Sequence, residues 1–80
     1  MESPTSLNAL VAAALRAEMA NQRKTVTGLA RALGRERSAA QRVHDGHAHL
    51  TLDDLDAAAA WLGIERRDLL TRYRAGGPQQ

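Results

Sequence analysis

The sequence predicts an all-α fold, a compact domain of five short helices, on three observations. Apolar residues, chiefly leucine and alanine, recur at helical spacing. Aromatic side chains make up only 2% of the chain, and β-branched residues are too few to suggest a sheet. Glycines at 34, 46 and 63 separate the periodic segments. Eighty residues allow one domain, and a chain of that size buries only about 60% of the surface it exposes when unfolded. There is no cysteine, so neither a disulfide nor a thiolate metal site can reinforce it, and helix packing must hold it together.

The first helix is expected from about Ser6 to Asn21, because Leu7, Leu10, Val11, Ala14 and Leu15 follow i, i+3, i+4, i+7, i+8 spacing. Thr25 is a candidate cap for a short second helix that turns Leu29, Ala30 and Leu33 inward and ends at Gly34. A third helix follows from about Arg37 to His44, with Ala39, Ala40 and Val43 on one face and Gly46 as terminator. Thr51 suits the cap of a fourth helix, Asp53 and Asp54 suit the positive end of its dipole, and Leu52, Leu55, Ala59 and Leu62 form its buried stripe up to Gly63. Ile64 bridges to a fifth helix, about Glu65 to Arg74, with Leu69, Leu70 and Tyr73 inward. Trp61 is expected in the core, filling volume that Ala39, Ala40, Ala58 and Ala59 leave vacant. The domain is thus expected over residues 1–75, with 76–80 (Gly-Gly-Pro-Gln-Gln) a flexible tail or the start of a linker.

The net charge is only +2, but its distribution is uneven. Arg23, Lys24, Arg31, Arg35, Arg37 and Arg42 form a basic island opposed, up to Arg42, only by Glu36. Beyond His47 the acids Asp53, Asp54, Asp56, Glu65 and Asp68 outnumber Arg66, Arg67, Arg72 and Arg74. A basic island suits a polyanion partner, and it equally suits a plain solvated arginine-rich surface. The Met-Glu-Ser-Pro start lacks the basic and apolar regions of a signal peptide, and no apolar run approaches the roughly 18 to 20 residues of a membrane span, so a cytoplasmic location is expected, nucleoid-associated when bound to DNA.

The informative segment is Thr25 to Gly46, where two short helices meet across Gly34, Arg35 and Glu36. When the first helix of such a pair lies across the phosphate backbone, the second enters the major groove with its N-terminal side chains against base edges. The exposed face of the second would carry Arg37, Ser38, Gln41 and Arg42. Arginine can donate two parallel bonds to guanine O6 and N7, glutamine can bond adenine N6 and N7, and serine can serve either base.

These residues resemble the lambda-repressor-like (Cro/XRE-type) helix-turn-helix family. The family pattern runs Leu-Ala-x-x-Leu-Gly, then Ile-Glu-Asn-Gly, then Leu-x-x-Leu and Leu-Gly-Val. This chain has Leu29-Ala30-Arg31-Ala32-Leu33-Gly34, Val43-His44-Asp45-Gly46, Leu52-Asp53-Asp54-Leu55 and Leu62-Gly63-Ile64, so the likeness spans about Leu10 to Leu70 without a gap. It implies base contacts from Arg37, Ser38, Gln41 and Arg42. It also implies phosphate contacts near the start of helix two and in the loop after Gly46. Val26 stands where the family often has a phosphate-touching glutamine, which leaves Arg23, Lys24 and Thr27 as candidates for that contact, with Arg35 in the turn as support. Gly28 replaces a common capping glutamate, at a cost of about 1 kcal/mol in helix stability. Glu36 replaces a serine cap, and either caps the helix or accepts from a cytosine amino group.

His44, His47 and His49 lack a carboxylate or cysteine at a recognisable ligand spacing, so no metal and no cofactor is expected. His47 and His49 are candidates for phosphate contacts, strengthened below about pH 6.5 where histidine gains charge, or for a plain exposed loop. No nucleophile has a recognisable partner motif and no glycine-rich phosphate loop occurs, so an enzyme is not expected. The expected function is a sequence-specific double-stranded DNA-binding regulator, most simply a repressor: a phage immunity repressor or Cro-like protein, or a chromosomal XRE-type regulator. A homodimer through helix five and Tyr73 would fit palindromic half-sites. The alternative is a helical protein-interaction module, or an antitoxin-like partner of a toxin, using the Trp61 to Tyr73 surface. Neither reading calls for a small-molecule substrate or a membrane.

Overall fold

Ser6 lies in extended conformation and its hydroxyl accepts from the backbone N–H of Ala9 at 3.1 Å, which starts helix α1 (Leu7–Gln22) by satisfying one of its orphan donors. The computed structural model describes residues 6–69. No glycine marks the end of α1. Arg23 instead takes the left-handed conformation there (φ 58°), with its N–H bonded to Ala20 O, and Lys24 N–H closes the turn on Met19 O at 2.8 Å. For a non-glycine residue that conformation costs about 1–2 kcal/mol, which these two turn bonds must offset.

Helix α2 (Val26–Leu33) is capped by Thr25, whose hydroxyl accepts from Gly28 N–H at 3.1 Å. It stops at Gly34, whose φ of 68° a residue without a β-carbon adopts freely. Helix α3 (Arg37–His44) follows after Arg35 and Glu36. A loop then leads to α4 (Leu52–Leu62), which starts with a reciprocal capping box: Thr51 Oγ1 accepts from Asp54 N–H and Asp54 Oδ2 from Thr51 N–H, both at 3.0 Å. Gly63 ends α4, and helical backbone resumes over 66–69. The described residues contain no strand. The rest of the expected fifth helix, with Leu70 and Tyr73, lies outside the described residues, as does the 76–80 tail.

Both α3 and α4 pack against α1 and α2. The main core cluster joins Leu15 and Met19 of α1, Leu29 and Ala30 of α2, Ala40 and Val43 of α3, and Ala58 and Leu62 of α4. A second cluster joins Val11, Ala14, Leu55 and Ala59 to Leu69. Two expected core residues are in fact outside: Leu7 is 60% and Leu52 83% exposed. Each is the first residue of its helix, and helical side chains lean toward the N-terminus, so these two reach past the end of the packed stripe.

Trp61 is half-buried against the main cluster, and its ring lies on Gly28. A β-carbon at Gly28 would stand 2.9 Å from Trp61 Cζ2, so the helix penalty of this glycine is what lets α2 and the indole approach. Two buried acids are tied in as well. Glu18 accepts from Gln22 Nε2 at 2.8 Å, and the same Gln22 nitrogen reaches Leu62 O at 2.9 Å, closing the C-terminus of α4 onto α1. Asp54 is held by Arg35 through two bonds, Nε to Oδ1 at 3.2 Å and Nη2 to Oδ2 at 2.7 Å.

Candidate nucleic-acid interface

Helix α3 has a dry side and a wet side. Ala40 and Val43 are fully buried, and the small alanine lets the helix backbone sit close to the core. On the other side Arg37, Ser38 and Arg42 are exposed and Gln41 is half-exposed. The helix is clamped at both ends. Arg16 of α1 donates from Nη1 to His44 O at 2.9 Å, which satisfies a C-terminal carbonyl, and Gly46 turns the chain beside it with φ 83°. At the other end the Gly34–Glu36 turn is tied to the start of α4 through Arg35 and Asp54.

The exposed side chains are linked to their surroundings by light bonds. Arg37 Nε donates to Thr27 Oγ1 at 3.3 Å, which draws α2 and α3 together at the surface. Arg42 Nη2 donates to His47 O at 3.3 Å. Gln41 Nε2 lies 3.1 and 3.2 Å from the two oxygens of Asp45. His44 Nδ1 lies 2.9 Å from Asp45 Oδ1, and because an ionised carboxylate only accepts, that ring nitrogen carries the proton. The bonds from His44 and from Gln41 hold the Asp45 carboxyl below its ordinary pKa.

Arg37, Ser38, Gln41 and Arg42 are therefore gathered on one face, with Thr27 beside Arg37 and His47 reached by Arg42. His47 and His49 are exposed in the α3–α4 loop, which Asn8 pins through its carboxamide: Nδ2 donates to Ala48 O at 3.3 Å and Oδ1 accepts from Leu50 N–H at 2.8 Å. Arg23 is exposed in the α1–α2 connection. Three other candidates are occupied or placed otherwise. Arg35 gives its guanidinium to Asp54. Lys24 Nζ sits 5.2 Å from the centroid of the Trp61 ring, within cation–π range. Glu36 stands at the N-cap position of α3, but its side chain makes no capping bond.

The sequence reading did not single out Asp45, Arg16 or Asn8. Asp45 carried a local signal, since an acid at a helix C-terminus opposes the dipole and asks for a compensating partner. Arg16 and Asn8 carried none, because their partners lie 28 and about 40 positions away. Among the described residues, no three His, Cys, Asp or Glu side chains gather as a metal site would need, and no helix is long and apolar enough to cross a membrane. Comparison with models of protein families, with characterised proteins and with solved structures finds no match to this chain.

Proposed function

We propose that α2, the Gly34–Glu36 turn and α3 form a helix-turn-helix, and that this protein is a sequence-specific double-stranded DNA-binding regulator. The observation that carries this reading is the division of α3: Ala40 and Val43 are sealed in the core while Arg37, Ser38, Gln41 and Arg42 stand together in solvent. Three of these four side chains can make paired bonds to base edges in the major groove. The resemblance of Leu29–Gly34 and Val43–Ile64 to the lambda-repressor-like family supports the same reading. Thr27 and His47 border the face through Arg37 and Arg42, and Arg23 and His49 are exposed in the connections before α2 and after α3, where each is a candidate for phosphate. In this proposal bound protein occupies a promoter and excludes RNA polymerase, so binding by itself represses.

One observation favours a second reading, a module for protein contacts. Leu7 and Leu52 project beside Val11 and Leu55 along an apolar groove. The two readings separate on substitution of Arg37. In the DNA reading, Arg37→Ala costs about 1–3 kcal/mol of binding to the preferred duplex and relaxes one base pair, while Arg23→Ala weakens all sequences alike. Unchanged affinity and unchanged base preference in Arg37→Ala would remove the assignment of this face and turn attention to the groove.

A further inference from the structure

Asp45 is the residue on the α3 face whose presence local structure does not explain. It follows the last residue of α3, where a carboxylate meets the negative end of the helix dipole. Nor does its side chain close the helix, since backbone N–H groups of 45–47 and Arg16 do that. Its carboxyl oxygens instead receive Gln41 Nε2 and His44 Nδ1.

We propose that Asp45 is a positioning residue for base recognition: it locks the Gln41 carboxamide in the one orientation that selects adenine. This rests on the reading of α3 as the base-reading helix. An ionised carboxylate is an acceptor only, so the amide must turn its nitrogen toward Asp45 and its Oε1 away. The hydrogen anti to Oε1 serves the carboxylate, because the syn hydrogen would bring Oε1 toward the same negative charge. One edge of the amide remains free, carrying Oε1 and the syn N–H. That edge matches the N6–H donor and N7 acceptor of adenine, whereas guanine would set O6 against Oε1. The lowered pKa of Asp45 keeps the lock charged throughout the neutral range. An unlocked amide could rotate and offer its N–H groups to guanine.

The test is selection of sites from a random duplex pool by the full chain as wild type, Asp45→Asn, Asp45→Ala and Gln41→Ala. The wild-type motif is expected to hold an adenine that Gln41→Ala no longer requires. In both Asp45 variants the adenine-to-guanine ratio at that position falls about tenfold while the rest of the motif persists. In the free protein, the Gln41 side-chain amide resonances should follow the titration of Asp45. A motif unchanged in the Asp45 variants but altered in Gln41→Ala overturns the role of Asp45 and leaves the reading helix in place. Amide resonances indifferent to Asp45 also overturn it. A wild-type pool that yields no motif removes the DNA reading itself, and this proposal with it.

Discussion

Gly28 and Trp61 form a matched pair at the scale of single residues. Alanine at position 28 gains about 1 kcal/mol of helix propensity, yet its β-carbon would meet the indole at 2.9 Å, and overpacking of that kind costs about 1–3 kcal/mol. The net expectation for Gly28→Ala is a loss of about 1 kcal/mol in chemical denaturation. In a Trp61→Leu background the clash is gone and the same substitution stabilises instead. Other residues show where local reading reaches its limit. Lys24 and Arg35 look alike in sequence, two cations in a basic island, but Trp61 lies 37 positions from one and Asp54 19 positions from the other. Only the folded chain brings those partners into reach. Arg37, Ser38 and Arg42 were legible as exposed because their periodicity relative to Ala40 and Val43 decides it within one helix.

Among the elements, legibility follows the same physics. Thr25 and Thr51 could be read as caps because a capping hydroxyl serves an amide only three residues on. Gly34 and Gly63 could be read as stops for the corresponding reason at the C-terminus. The end of α1 lacked that signal, since Arg23 is driven into the left-handed conformation by bonds from the turn and not by its own preference. The first residues of α1 and α4 kept the apolar period yet found nothing to pack on. The junction of α3 with α4 rests on Asp54, which is buried, caps its own helix and holds the turn before α3 through Arg35. Asp54→Ala is expected to lose about 2–4 kcal/mol, combining a cap with an ion pair. Arg35→Ala should lose less, about 1–3 kcal/mol, because Asp54, although its side chain is only 6% exposed, still accepts from Thr51 N–H and the cap survives. A larger loss from Arg35→Ala than from Asp54→Ala, by denaturant titration, would contradict that ordering.

For the molecule as a whole, a core made of two small clusters fixes a mostly polar shell, and the charges of that shell are sorted. The cations from Arg23 to Arg42 fall on and around α2 and α3, while α4 carries exposed Asp53 in its first turn and exposed Asp56 further on. Leu69 is buried in the second cluster, and Tyr73, on which the proposed dimer contact centres, lies outside the described residues. The central claim, that the α3 face reads DNA sequence, stands or falls on one measurement. Sites are selected from a random duplex pool, and the winner is titrated against scrambled DNA at two salt concentrations. The account predicts an enriched motif bound at least about a thousandfold better than scrambled DNA, with a preference that survives the salt increase although both affinities fall. Weak binding, equal for every sequence and abolished by modest salt, would contradict it and reduce the basic island to a generic polyanion surface.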